Sequence, residues 1–243
     1  LAARCGLVMD MTDNQILASI APALRETVLG HCQSATLAAE TPLADAGDTI
    51  DAVYFPESAV ISIVSNYQDG ATIEVANIGR EGCTGAGLVL GNAEALISSV
   101  VQVSGRSLVM SAKTFSHLKR TIPEFEVATQ ASVQGLIYQI MVSGACNIRH
   151  GTKQRLARWL MTMCNRSGGD VIDLTQDFLA EILGVRRATI SQSLADLRAR
   201  SMINNARGRI EIIDHEGLHR ECCECYDMVR NAYDRLYQTV PGQ

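Results

Sequence analysis

The sequence predicts an α+β chain in which a small β domain is joined through a long helix to a basic helical module. Three observations favour this class. Glycine-rich turns separate short apolar segments in 35–110, an apolar stripe runs along 123–147, and two helices flank a tight turn in 173–200. The chain has 243 residues, 47% apolar and 19% charged, and can therefore bury a core. We place the domains at 1–122, 123–148 and 149–243.

The N-terminal domain is expected to begin with a helix over residues 13–30, where apolar residues recur at helical spacing. Turn signals such as Gln68-Asp-Gly70 then separate strand-like segments. These segments are 52–55, 59–65, 72–77, 99–103 and 107–110. Several short strands with such turns predict a small β sandwich or barrel.

A long helix is expected over residues 123–147. Pro123 suits a first helical turn, and Glu124 and Glu126 suit the positive end of the helix dipole. Small and apolar residues then recur at three- and four-residue spacing, and the predicted seam consists of Val133, Leu136, Ile137, Ile140 and Gly144. Such a stripe favours a dimer seam, and packing of the helix on its own domain is the alternative.

Residues 173–200 have the spacing of a helix-turn-helix. Thr175 can cap the first helix, Gly184 can supply the positive φ of the turn, and Ile190 falls at a buried position of the second helix. Two short strands around a basic turn, 202–203 and 209–213, would complete a winged helix. The alternative is an ordinary helical hairpin.

The charge distribution supports DNA as the partner of this module. Residues 149–209 contain eleven Lys or Arg and five Asp or Glu, a net +6, whereas the rest contains ten and twenty-one, a net −11. A basic module on an acidic body is typical of a nucleic-acid-binding segment, although chance clustering of surface charge gives the same count. The candidate DNA-binding residues are Thr175, Gln176, Arg186, Arg187, Thr189, Ser191, Gln192, Arg207 and Arg209.

With these parts in place, the chain resembles the Crp/Fnr family of bacterial transcription regulators from about residue 13 to residue 213. The segments 55–64, 82–88 and 175–197 carry the resemblance. It implies a β-roll sensor domain (a double-stranded β-helix or jelly roll, like that of cyclic-nucleotide-binding proteins), a dimerisation helix and a C-terminal winged helix-turn-helix. Arg187 matches the guanine-reading Arg of the family, whereas Ala188 and Gln192 replace a frequent Glu and a further Arg.

The resemblance also places an effector pocket in the sensor domain. Its candidate residues are Gly82, Thr84, Gly85, Ala86, Gly87 and Ala95. Cyclic-nucleotide sensors of the family use a Glu for the ribose and an Arg for the phosphate, and Gly85 and Ala95 occupy those positions here. Because a buried phosphate without a cation is costly, we expect that cyclic AMP is not a tight ligand.

No cofactor is expected from the sequence. The cysteines near the N-terminus, Cys5 and Cys32, do not form the clustered set of iron–sulfur members, and nothing distinguishes His31, His117 or His150 as a haem ligand. If residues 215–225 were one helix, one face would carry His215, His219, Cys222 and Cys223. Those side chains could bind Zn²⁺ or sense redox state, but simple packing is the favoured interpretation.

The function predicted from the sequence is therefore sequence-specific transcription regulation by a homodimer on an inverted-repeat DNA site. The alternative is a sensor that is inactive on DNA until a small molecule, a metal or thiol oxidation switches it. The family resemblance adds RNA polymerase as an expected partner. No apolar run reaches the roughly 18 residues of a membrane helix, so we expect no membrane partner. Isolated thiols without a secretory signal favour the cytoplasm, and no catalytic fingerprint suggests an enzyme.

Overall fold

The structure, a computed structural model, describes residues 12–206 and 208–240. The predicted α+β architecture is confirmed: a β-sheet region, a long helix and a helix-turn-helix follow one another along the chain. Among the described residues, no helix is both long and apolar enough to cross a membrane.

Two antiparallel sheets form the N-terminal region. The first has three strands in the order β1 (Gln33–Leu37), β7 (Gly105–Ser111), β3 (Ala52–Pro56). The second has four in the order β2 (Pro42–Ala44), β6 (Ser98–Val103), β4 (Val60–Asn66), β5 (Thr72–Ile78). Leu37 of the first sheet packs with Ile61, Ile78 and Val101 of the second, so the sheets face each other.

Helices cover the outer side of the first sheet. They are α1 (Gln15–Ser19), α2 (Pro22–Leu29), α3 (Ala86–Leu90), α4 (Ala112–Thr121) and α5 (Pro123–Arg149). Phe55, Phe115 and Phe125 are fully buried with ring centroids 5.5–6.3 Å apart, and they join the sheet to α4 and α5. The single helix expected over 13–30 is wrong, because Pro22 starts a second helix after an extended Ile20 and Ala21.

The C-terminal module is built around a small three-stranded sheet. Its helices are α6 (Thr152–Ser167), α7 (Gln176–Ile182) and α8 (Arg187–Ala199). The sheet has the order β8 (Val171–Asp173), β10 (Arg209–Ile212), β9 (Ile203–Ala206). Two further helices follow, α9 (His215–Glu221) and α10 (Cys225–Gln238).

Helix α10 leaves the module and packs on the N-terminal region. Tyr233, Tyr237 and Val240 belong to the same buried cluster as Ile16 and Leu17 of α1. Gly135 of α5 faces the Tyr233 ring so closely that a Cβ there would overlap it. Residues 229–240 thus contribute to the core of the N-terminal domain, although they fall within the predicted C-terminal domain.

Candidate nucleic-acid interface and sensor cavity

The helix-turn-helix is α7, a tight turn and α8. The Thr175 side chain accepts a hydrogen bond from the Phe178 amide, which caps α7 as expected. Gly184 has φ +63° and ends that helix. Buried apolar side chains hold the two helices together: Leu179, Ala180, Ile182, Leu183, Ile190, Leu194 and Leu197.

The outer face of α8 is exposed at its first turns. Arg186, Arg187, Thr189 and Gln192 are exposed, and Ser191 is half-buried. The spacing therefore separates buried from free side chains as a DNA-reading helix requires.

Two contacts fix candidate side chains on this face. Arg187 Nε lies 3.1 Å from Asp177 Oδ1, and both side chains are about two thirds exposed. Ser191 Oγ donates to Gln176 Oε1 over 2.5 Å. Both contacts run from α8 back to the first turn of α7, so the start of α7 holds these two side chains of the exposed face.

The wing has the expected hairpin, and a third strand, β8, pairs with β10 at its edge. Arg209 pairs in register with Ala206 and with Asp173, and it is exposed. Arg207 lies outside the described residues. Strand β8 was not expected, because its three residues are too short for an alternating pattern.

Some basic side chains of the module form ion pairs with acidic residues, and others do not. Lys153 and Arg200 both bind Glu221, with N–O distances of 2.9 and 2.6 Å. The hydrogen bond from Arg200, followed by that from Lys153, lowers the pKa of Glu221. Arg166 is buried against Glu81. Arg186 and Arg209, in contrast, enter none of the ion pairs found among the described residues. The charges of Arg186 and Arg209 on the helix-turn-helix and wing are therefore not compensated by an ion pair within the described part of the chain, whereas Arg187 is paired with Asp177.

A cavity of about 620 Å³ lies between the sheets and α5. Of the expected effector residues, Thr84, Gly85, Ala86, Gly87 and Ala95 line it. Gly82 lies outside the described lining, in a buried turn whose carbonyl accepts from Asn14 Nδ2 over 2.9 Å.

The cavity has acidic and apolar walls. Its described lining includes Asp48, Asp51 and Glu94 but no Lys, Arg or His. A phosphate would therefore meet carboxylates rather than a cation. Apolar residues of α5, among them Ile137 and Ile140, form another wall.

The predicted seam residues of α5 divide into two groups. Val133 is buried in the core of its own chain, and Leu136 is half-buried against the β-sheet core. Ile137 and Ile140 are 48% and 41% exposed, and a Cβ at Gly144 would contact nothing. Met141, which the sequence places beside this seam, is 60% exposed, and Ile148, which was not among the predicted seam residues, is 92% exposed.

The prediction that His215, His219, Cys222 and Cys223 share one face of a single helix is wrong. Helix α9 ends at Glu221, and the histidines have other partners: His215 Nε2 lies 2.8 Å from an Asp170 oxygen, and His219 Nε2 lies 2.9 Å from an Asp227 oxygen. Cys222 Sγ contacts the Leu218 carbonyl.

A different set of potential metal ligands comes together instead. It consists of Cys146, His150, Cys223 and Cys225. The sequence carries one signal for this set. Cys146 and His150 lie four residues apart in the sequence, and Cys223 and Cys225 lie two apart.

Comparison with known proteins agrees with the geometry. The family described as the Crp-like helix-turn-helix domain matches residues 154–221. No curated protein matches the chain.

Solved structures share the fold over most of the chain. A CRP-family transcriptional regulator from Thermus thermophilus has 16% identity and a TM-score of 0.63, covering 77% of this chain and 95% of its own. FixK2 from Bradyrhizobium japonicum has 11% identity and a TM-score of 0.63, covering 79% and 98%. The c-di-GMP-responsive global regulator CLP from Xanthomonas campestris has 15% identity and a TM-score of 0.61, covering 78% and 98%.

Proposed function

From the premise that this chain carries a Crp-like helix-turn-helix domain on the fold of CRP/FNR transcription regulators, we propose that it regulates transcription as a homodimer bound to an inverted-repeat DNA site. The observation that carries the proposal is the exposed basic face of α8, held on a helix-turn-helix whose other face is buried. Phosphate contacts from this face supply affinity, and side chains of its first turns read base edges.

Arg187 is the proposed guanine-reading residue. A guanidinium can donate two parallel hydrogen bonds to guanine O6 and N7 in the major groove. Gln176, Ser191 and Gln192 are proposed to contact phosphate or adenine. Arg186, Thr175, Thr189 and the wing arginines Arg207 and Arg209 are proposed phosphate contacts.

The homodimer is proposed to form along α5. Exposed residues recur along this helix at spacings of four, three and four, which is the repeat of a two-helix seam. They are Ile137, Met141, Gly144 and Ile148. Met141 is 60% exposed and Ile148 is 92% exposed. A second copy of the same helix would cover this stripe, and twofold symmetry would present two α8 helices to major grooves about 34–36 Å apart.

An effector-gated regulator is the second candidate, and the cavity of about 620 Å³ is the observation that favours it. Its carboxylates and apolar walls suit a neutral or cationic small molecule rather than a cyclic nucleotide or c-di-GMP. Because Ile137 and Ile140 line the cavity and also lie on α5, a ligand there would contact the dimer helix directly. In a calorimetric titration, we expect no tight binding of cyclic AMP.

The deciding experiment is selection of bound fragments from a random DNA pool by the purified protein without added ligand, followed by sequencing. An enriched inverted repeat is the expected result and supports a dimer that is active alone. Random, salt-sensitive binding would favour the effector-gated alternative. The absence of DNA binding at low salt, with and without candidate effectors, would overturn both. RNA polymerase is the proposed partner at such a site.

A further inference from the structure

Four potential ligands meet where the end of α5 touches the start of α10. Cys146 lies in the last turns of α5, and His150 directly follows that helix. Cys223 and Cys225 flank Glu224, where α10 begins. One side-chain ligand atom from each of the four lies within 4.8 Å of every other.

Two of the distances between these atoms are close to the edges of a tetrahedral site for one metal ion. Cys146 Sγ lies 3.5 Å from Cys223 Sγ, and Cys225 Sγ lies 3.7 Å from His150 Nδ1. With Zn–S bonds of about 2.3 Å and Zn–N bonds of about 2.0–2.1 Å, a tetrahedron has S–S edges of about 3.8 Å and S–N edges of about 3.6 Å. An iron–sulfur cluster would distribute its ligands over several iron atoms and would therefore need a wider set.

The environment suits a structural site. Cys146, Cys223 and Cys225 are 0%, 3% and 5% exposed, so water has little access to a bound ion. Val142 is buried in the same cluster, and Tyr138 and Val229 pack against it. Buried thiols also pack simply as small apolar groups, but that interpretation gives no reason for an imidazole nitrogen turned towards Cys225.

The surroundings of His150 provide further support. Its Nδ1 faces the thiols, and its Nε2 lies 3.2 Å from Glu224 Oε2. A carboxylate on the far nitrogen of a metal-bound histidine fixes the ring orientation and raises its basicity. Glu224 is itself exposed, so this contact can be altered without disturbing a core.

Two arginines place positive charge near the thiols. Three thiolates, one neutral imidazole and Zn²⁺ carry a net charge of −1. Arg158 lies near enough to interact with Cys146, Cys223 and Cys225. Arg155 also lies near enough to interact with Cys146 and Cys223.

We propose that Cys146, His150, Cys223 and Cys225 bind one Zn²⁺ ion in a closed Cys₃His site. Binding releases the three thiol protons to solvent, and no redox step is involved. The ion ties the C-terminal end of α5 to the start of α10. Because the α5–α6 turn at His150 and Gly151 leads directly into the DNA-binding module, the ion also fixes that junction.

The first test measures metal in the full chain, purified with a thiol reductant and without chelator. We expect about one zinc ion per chain by inductively coupled plasma mass spectrometry. After chelation, Co²⁺ added to the reduced protein should give the intense visible bands of a tetrahedral thiolate site, saturating at about one ion per chain. Absence of zinc together with absence of these bands would overturn the proposal.

Variants assign the ligands. Cys146→Ser and Cys225→Ser should each reduce the zinc content to less than about one tenth of wild type, because both remove a thiolate ligand. Cys222→Ser is the matched control, since Cys222 neighbours the set but contacts Leu218, and it should retain full zinc. Equal loss in the Cys222 variant would contradict the assignment.

A milder variant covers the case in which the serine variants do not fold. Glu224→Gln should weaken Co²⁺ binding about 10- to 100-fold, while Glu216→Gln, also in an exposed position, should have no effect. A Cys146–Cys223 disulfide in place of zinc in the freshly purified, unreduced protein would overturn the proposal in favour of a thiol pair. Metal content is measured without DNA, so either outcome is independent of the proposed function.

Discussion

At the scale of single residues, the ion pair of Arg187 shows how the proposed guanine-reading side chain can be oriented in the free protein. Its partner Asp177 is on the preceding helix, and both groups are largely exposed. An exposed ion pair is worth only about 0.2–1 kcal/mol. Asp177 can therefore orient the guanidinium without competing strongly with a guanine.

Replacing this arginine tests its role in sequence reading. Arg187→Ala should weaken binding to the selected DNA site by about 1–3 kcal/mol and relax the preference at one base pair of each half-site, because one bidentate contact is lost. Fluorescence anisotropy on matched and mutated sites measures both effects. Arg120→Ala, an exposed arginine of α4, is the control. Equal loss on random DNA would assign Arg187 to phosphate contact instead.

Glu221 gives a pH-dependent prediction. The hydrogen bonds from Arg200 and then Lys153 lower the pKa of its carboxyl, so the folded chain holds fewer protons there than the unfolded chain. This contribution to stability is present above the unfolded-state pKa and is lost as the pH falls through the folded-state pKa. Glu221→Gln should therefore lower the free energy of unfolding at neutral pH and have less effect in acid.

Urea unfolding at several pH values measures this difference. Glu216→Gln is the control, because its side chain is 92% exposed, and it should follow wild type throughout. A constant difference between Glu221→Gln and wild type down to the acid limit would show that the carboxylate charge is not the cause.

At the scale of helices and strands, local patterns were predicted well and long-range ones were not. The helix-turn-helix follows from residues within 25 positions of one another, so spacing, cap and turn glycine specify it together. Strands β1 and β2 were missed, because their exposed and half-buried patterns do not alternate clearly. Helix α10 buries Tyr226, Tyr233 and Tyr237, but no local pattern states that its partner is α5.

The candidate sites show the same division. The face of α8 is one helix surface and could be read from the sequence. The lining of the cavity was expected from 82–95 alone, whereas the structure adds residues of α5. The metal-ligand set joins Cys146 to Cys223, which are 77 positions apart, so only the packing of α10 on α5 brings them together.

The docking of α10 can be tested at one hydrogen bond. Tyr237 Oη donates to the Glu81 carbonyl over 2.5 Å, and both residues are buried. Tyr237→Phe should lower the free energy of unfolding by about 1–3 kcal/mol, because the carbonyl loses its partner away from water. Tyr67→Phe, at a side chain 54% exposed, should change it by less than about 0.5 kcal/mol. Equal effects in urea unfolding would contradict the docking.

At the scale of the whole molecule, the proposed dimer depends on the exposed stripe of α5. Met141→Glu should convert the dimer to a monomer, because it places a charge in the apolar seam of both copies. Light scattering after size-exclusion chromatography measures the mass. Met228→Glu is the matched control, since Met228 is 42% exposed on α10, and it should remain dimeric. A wild-type chain that is monomeric at every concentration would contradict the proposed dimerisation along α5.

The return of α10 to the N-terminal core has a consequence for how the protein is made. Tyr233, Tyr237 and Val240 pack with Ile16 and Leu17, so residues from the two ends of the described chain share one core. A ribosome delivers the helix-turn-helix before it delivers these side chains. The core of the N-terminal domain therefore cannot be completed until residue 240 has left the ribosome. A chain that stops after the wing contains the helix-turn-helix but lacks a completed N-terminal core. Such a product is expected to be a substrate for chaperones and proteases.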